Sequence, residues 1–284
     1  MTAAVPAARL RTVARVGARP LPPPTVLVSL AVLTVVLVWS LVPGLVTGHD
    51  PAVGIPDDKF TAPSWQYWLG TDHLGRDLLT RIVHGSASSM TSALIAVAIG
   101  VLAGGLLGLL GGYLGGWVDA VIGRVVEVLL AIPGFLLAVV IVTALGYDTR
   151  NAAIATGVSA VAVFARLMRS EVLRVRTSVF IEAARLSGAP AGYVLTRHVL
   201  PNAVRPVLSL AVLQFGIAIL VIAGLAFLGY GDPPPASDWG LLVSDGREHL
   251  LHAPWLVVAP GLVIAVVVLS VSRLSSWLDQ GRNR

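Results

Sequence analysis

Residues 182–202 read EAARLSGAPAGYVLTRHVLPN, a polar, punctuated stretch in a chain otherwise built of long apolar runs. Thr177 and Ser178, just upstream, stand where N-caps stand, because a hydroxyl there accepts from the free amides of a first helical turn. Val179, Phe180, Ala183 and Leu186 then give a short helix an apolar side. Gly188 suits a left-handed helix stop. Ala189 precedes a proline and is biased out of helix, while Pro190 suits the first turn of a new one. Gly192 to Leu200 predicts a second short helix, and Pro201 opens the next apolar run. The sum over about 177–201 is a compact helix–turn–helix. It reads either as a loop that tidies a connection or as a knob that seats in a groove on a soluble partner. Two capped helices exceed what a connection requires, which favours the knob.

The surroundings place this knob on a membrane. The 284 residues are 56% hydrophobic and 12% charged, against about 25% charged in soluble domains. Apolar runs of the length needed to cross a bilayer, about 20 residues, fall near 25–46, 88–112, 120–146, 151–168, 204–228 and 254–273. They do not alternate, which excludes a transmembrane barrel. The fold class is an all-α membrane protein of about six spans, with residues 25–275 as its transmembrane domain. Residues 151–168 are short and rich in Ala, Ser and Thr, so that span is expected to face other helices. Residues 1–24 read as a basic N-terminal tail and 276–284 as a C-terminal one. A cleaved signal peptide has an apolar region of about 7–15 residues, shorter than the first run.

Charge sets the orientation. With the N-terminus inside, cytoplasmic segments hold 14 of the 20 basic residues, as the positive-inside rule requires. Seven of them lie in 166–205, around the knob. Both termini are then cytoplasmic. The same rule accounts for a sequence pI of about 10.2, so nucleic acid is not an expected partner. There is no cysteine, which removes disulfide and thiolate chemistry.

Several motifs admit both a functional and a purely structural reading. Lys59, the one lysine, is followed by Phe60, so there is no phosphate-binding P-loop, and if energy from ATP is used another chain must bind it. Glu248, His249 and His252 fit one helical face with metal-ligand spacing, or are incidental in a polar loop. Residues 69–85, LGTDHLGRDLLTRIVHG, predict a helix capped by Thr71 or Asp72. Leu78, Leu79, Ile82 and Val83 form its apolar stripe opposite Arg76, Asp77, Thr80 and Arg81, as in a helix lying along the external interface. That segment either anchors the next span or meets an external partner. Arg124 and Glu127 pair at three-residue spacing inside the third span, as a structural ion pair or a functional one. Pro133 is expected to bend that span. Gly100, Gly104, Gly108 and Gly112 offer one small-residue face for close helix packing. Thr143, Ser209 and Gln214 are polar candidates for the inside of the bundle.

Glu182-Ala183-Ala184, three residues, Gly188, nine residues, then His198-Val199-Leu200-Pro201 resembles the EAA loop of ABC-importer permeases. His198 stands where that family's pattern has Ile, and HVLPN resembles the HILPN of the dipeptide, oligopeptide and nickel branch. LGTDHLGRD at 69–77, with Gly70, Thr71, Asp72, Gly75, Arg76 and Asp77, is similar to the C-type subunit of that branch. FLGYG at 227–231, DWG at 238–240 and PW at 254–255 are similar too. The ending SRLSSWLDQGRNR departs from the family pattern. The resemblance implies a type I importer permease fold and small-peptide translocation, with nickel or another small solute as the alternative. An ATP-independent secondary transporter is the reading from a different class, against which the scarcity of intramembrane titratable groups counts. The resemblance further implies that Glu182, Ala183, Ala184, Gly188, Leu200 and Pro201 belong to a coupling loop seated on an ATPase subunit. Two such ATPases holding ATP and Mg, a second homologous permease and an external substrate-binding protein would complete the machine. This chain itself would bind no cofactor and catalyse no reaction.

Overall fold

The computed structural model describes residues 23–280. The N-terminal tail expected over 1–24 lies almost wholly outside them, as do residues 281–284. The described chain is helical, in the order α1 (Pro24–Leu41), α2 (Leu78–Leu114), α3 (Gly116–Ala131), α4 (Gly134–Leu145), α5 (Thr149–Arg176), α6 (Val179–Leu186), α7 (Ala191–Tyr230), α8 (Trp239–Arg247) and α9 (Trp255–Gln280). By length and apolarity α1, α2, α5, α7 and α9 can cross a membrane, and the bent pair α3–α4 makes a sixth crossing.

Helix boundaries follow local chemistry. Pro24 starts α1 within its first turn, and the helix stops at Leu41, short of the expected Val46, just before Pro43. Asp77 caps α2 by accepting from the Thr80 amide at 3.0 Å, and Gly115 ends it at φ 70°. Asp148 caps α5 through the Asn151 amide at 2.6 Å.

Several expectations require correction. The interfacial helix predicted over 69–85 does not form as such: residues 69–77 are a loop, and 78–85 join the span 88–112 in one helix of 37 residues. Its cap is Asp77, not Thr71 or Asp72, and Leu78, Thr80, Arg81, Ile82 and Val83 are all buried. The segment looked amphipathic because its polar side packs on protein, not water. At 1.5 Å per residue α2 is about 55 Å long, longer than the roughly 30 Å hydrocarbon core, so it projects beyond the bilayer. The span 120–146 is broken at Ile132–Pro133, where α3 and α4 meet at 94°; Ile132 is extended, as a residue before proline prefers. Finally, the predicted second knob helix, Gly192–Leu200, is not separate. It forms the first turns of the 40-residue α7, which runs through Pro201. A widened π-turn at Leu195–Val199 lies where the missing Pro201 amide would otherwise interrupt the ladder. At the other end, residues 276–280 continue α9 instead of forming a tail.

Helix α5 is the central post: 56% of its most apolar window is buried, the highest share among the crossing helices. This agrees with its weak apolarity. The glycine face of α2 lies against it. A Cβ on Gly104 would sit 2.4 Å from the Val161 carbonyl oxygen, and one on Gly108 2.3 Å from that of Ala165. Gly157 reciprocates, with Ala96 O at 2.9 Å from its notional Cβ. The backbones approach because one of the two facing residues at each of these contacts is a glycine with no side chain. Phe164, Met168 and Val172 fill the space alongside.

Candidate functional site

The knob is α6 and the turn after it. Ile181 is fully buried and Ala184 half-buried, and they hold the helix down. Its other residues point outward: Val179 is 82% and Leu186 84% exposed, with Phe180, Glu182, Ala183 and Arg185 exposed beside them. The apolar side read from the sequence is therefore presented to the outside. Gly188 has φ 83°, and the amides of Ser187, Gly188 and Ala189 close back on the carbonyls of Ala183, Arg185 and Ala184. The expected stop is confirmed in its geometry. The expected caps are not: Thr177 Oγ1 donates back to Leu173 O and Arg174 O, and Ser178 Oγ to Val175 O. These hydroxyls finish α5 instead of starting α6.

The root of the knob is clamped to three spans. Arg176, in the last turn of α5, donates from Nη1 to Gly112 O at 2.7 Å and Tyr113 O at 3.2 Å. Those are orphan carbonyls at the C-terminus of α2, where a cation is also favoured by the helix dipole. The Tyr113 hydroxyl donates to Ala191 O at 2.6 Å, in the first turn of α7. His198 is edged by Phe180 and Tyr193, at ring separations of 6.5 and 5.6 Å. Val194 and Val199 are fully buried, Leu200 half-buried and Pro201 exposed. Arg169 of α5 grips Asp119 of α3 bidentately, at 2.5 and 2.6 Å. Sequence reasoning missed Tyr113, Asp119, Arg169 and Arg176 in this role, since their partners lie 50 to 78 residues away.

The motif at 69–77 forms a clasp at the opposite end. Gly70 and Gly75 take φ 78° and 77°, and Thr71 bridges to Asp77. Asp72 accepts from Arg76 Nε at 2.7 Å and from Arg81 Nη1 at 3.0 Å, with all three side chains nearly inaccessible. Arg81 also reaches Asp245 of α8 at 3.6 Å and Ala236 O at 3.1 Å. Trp255 Nε1 donates to Thr71 O at 3.2 Å, and Trp239 Nε1 to Ile82 O at 3.0 Å. The loop is thus tied to α2, α8 and α9. Burial pushes the Asp72 carboxyl up, but the Arg76 and Leu74 amides and the Arg76 guanidinium outweigh it, leaving the group below the usual carboxylate range. Asp238, which caps α8, is held above its ordinary value by burial. Asp72, Arg76 and Arg81 thus pair within the chain.

The remaining candidates separate. Arg124 and Glu127 do pair, at 3.4 Å, with side chains 81% and 71% exposed. Glu248, His249 and His252 do not converge: α8 ends at Arg247, and the three lie in turns. His249 instead stacks on His73 and meets the Phe60 edge. Among the described residues no group of three or more His, Cys, Asp or Glu side chains could hold a metal.

Residues 96–284 match the family described as binding-protein-dependent transport system inner membrane component. The chain belongs to that family. It is similar to the dipeptide transport system permease protein DppC of Alkalihalophilus pseudofirmus, with 39% identity over 89% of this chain and 83% of the relative. It is similar also to the glutathione transport system permease protein GsiD of Shigella flexneri serotype 5b, with 40% identity over 78% of this chain and 73% of the relative. Among solved structures, an amino acid ABC transporter crystallised with histidines superposes with TM-score 0.57 at 18% identity, covering 71% of this chain and 94% of that one. The MetNI methionine ABC transporter in inward-facing form gives 0.55 at 17%, covering 70% and 96%. The fold is that of ABC-importer permeases, and this inner membrane component is a multi-pass membrane protein.

Proposed function

We propose that the chain is the C-type permease subunit of an importer for small peptides, driven by ATP that partner subunits bind with Mg. Its relatives' names, for dipeptide and glutathione permeases, favour peptides over nickel. The observation that carries the mechanism is the knob: α6 exposes an apolar and charged face while its root is clamped to α2, α5 and α7. Such a surface suits a cleft on an ATPase, using the helix-in-groove mode. Glu182, Ala183, Ala184, Gly188, Leu200 and Pro201 form or support it. The knob end is cytoplasmic and the clasp end external, in keeping with the arginine distribution, and both termini are cytoplasmic.

Two ATPases, a second homologous permease and an external binding protein complete the assembly. When the ATPases close, the knob moves as a rigid body, because Arg176 and Tyr113 leave it no independent hinge. The displacement passes along α7, about 60 Å at 1.5 Å per residue, to the bend at Gly229 beside α8. Switching of this kind needs an element with two arrangements that ATP and peptide bias differently. Purification in mild detergent tests the reading: an ABC ATPase should co-purify with the chain and hydrolyse ATP in proportion to peptide uptake. A stable complex containing no ATPase overturns it.

A further inference from the structure

Two cavities flank the α3–α4 break. On its knob side, a cavity of about 720 Å³ lies between α3 and α5 and is lined by Asp119, Arg124, Glu127, Arg166 and Arg169. On its clasp side, a cavity of about 310 Å³ is lined by Thr156, Ser159, Gln214, Gly134 and Phe135 without a charged residue. Leu130 and Ala131 border the first and Gly134 and Phe135 the second, so the break is the partition between them.

This face cannot look at lipid. Residues 131–136 are exposed in succession around a 94° break. The terminal carbonyls of α3 have no helical partners there. Irregular backbone at membrane depth is tolerated only against protein or water. Arg124 lies about 12 Å along α3 from Gly116, and Arg166 about 15 Å along α5 from Arg176, at 1.5 Å per residue. Charges at such depth turn toward an aqueous space or a partner. In the clasp-side cavity, the Thr156 hydroxyl is buried with no hydrogen-bond partner, as in a wall awaiting one. Ser209 and Thr143 line neither cavity: the Ser209 carbonyl accepts from Ser275 of α9, and the Thr143 hydroxyl donates to Val139 O of its own helix.

The charges are unequally matched. Arg169 is held by Asp119 and Arg124 by Glu127. Arg166 is exposed and has no ion-pair partner among the described residues. We infer that the two cavities are this chain's half of the translocation path, and that Arg166 is a transient binding site for the carboxylate of a passing peptide. The ligand class rests on the peptide reading above; the path does not. The clasp-side cavity holds the peptide through neutral hydrogen bonds, and the partition at Pro133 separates it from the charged vestibule. Matched pairs lining the vestibule keep it from retaining the cargo, and one free guanidinium draws the carboxylate through.

The chain has no cysteine, so a single introduced cysteine is the one thiol on this chain, and labelling is read on this chain after separation from its partners. In the assembled transporter in vesicles, Arg166→Cys, Ser159→Cys and Gln214→Cys are exposed from both sides to a membrane-impermeant sulfonate-bearing methanethiosulfonate. Leu37→Cys on α1, 55% exposed, is the comparison. All three should label at least about tenfold faster than Leu37→Cys, as water-lined positions do relative to lipid-facing ones, and added dialanine should slow labelling at Ser159→Cys, where Arg166 is intact. Equal rates at Arg166 and Leu37 overturn the path. Separately, Arg166→Gln should slow dialanine uptake about ten- to a hundredfold, the size of one lost charge-assisted hydrogen bond, while Arg166→Lys restores most of it. Arg166→Gln with wild-type uptake overturns the carboxylate site. A wild-type complex that takes up no peptide overturns the peptide reading and the ligand with it, while labelling still decides the path.

Discussion

Arg176 Nη1 lies 2.7 Å from the Gly112 carbonyl oxygen, so the last turn of α5 is fastened to the last turn of α2 directly beside the knob. The bond joins a charged donor to a helix end that otherwise leaves its carbonyls unpaired. It makes the knob's root a single body with the glycine-packed pair α2–α5.

Arg176→Met is therefore expected to loosen the knob without unfolding the bundle. A charge-assisted bond of this kind contributes about 1.5–3 kcal/mol, and the side chain's apolar stem is retained. Peptide uptake should fall severalfold while ATP hydrolysis continues, measured together in reconstituted vesicles. Equal losses in both would contradict a coupling role for the bond.

Gly188 carries a different demand. Its φ of 83° is strained for most L-residues, yet a Cβ there meets nothing within 4 Å. Gly188→Asn should be nearly silent, because Asn tolerates the left-handed region. Gly188→Val should cost about 1–2 kcal/mol from backbone strain alone, and Gly188→Pro should abolish uptake with membrane insertion intact. Uptake assays beside quantified membrane levels separate the three.

At the clasp, Asp72 neutralises Arg76 and Arg81 where all three are buried. Asp72→Asn leaves the buried Arg76 guanidinium without an anion and Arg81 with Asp245 alone, at 3.6 Å, and should destabilise by about 3–5 kcal/mol, read as a lowered midpoint of thermal unfolding in detergent. The Asp72 carboxyl is depressed in the folded state. Its contribution is thus fully present above the unfolded value, near 3.9, and is lost only as pH falls through the lower folded value. The clasp should hold unchanged from pH 7 to about pH 5 and release below about pH 4. Release already at pH 6 contradicts the assignment.

The α2–α5 contact is tested by a small change. Gly108→Ala places a methyl 2.3 Å from the Ala165 carbonyl oxygen, and overpacking of this kind costs about 1–3 kcal/mol. Gly123→Ala, where nothing lies within 4 Å, should be neutral. Thermal unfolding of the two variants gives the difference.

Much of this was legible in the sequence, and the parts that were not share a cause. Hydropathy located the spans, Pro133 the break, Gly188 the stop, and the glycines at 100–112 the close face, because each is a local property of the backbone or of one helix surface. The weak apolarity of α5 foretold its central place. By contrast, residues 69–85 looked like a surface helix because Arg81 and Thr80 are polar; the partners of Arg81, namely Asp72, Asp245 and the Ala236 carbonyl, are supplied by tertiary folding. The Arg176–Gly112 and Asp119–Arg169 contacts join helices 50 or more residues apart and leave no periodic trace. The continuity of α7 through Pro201 was hidden because a proline usually ends a helix, and here a π-turn accommodates it.

The central claim, that the exposed face of α6 meets an ATPase, is tested most directly by proximity. Leu186→Cys, introduced into this cysteine-free chain and loaded with a benzophenone maleimide, should on illumination in native membranes give an adduct with an ABC ATPase subunit. The same probe at Leu251, 92% exposed at the clasp end, should give none. An ATPase adduct from Leu251→Cys, or none from Leu186→Cys, contradicts the account.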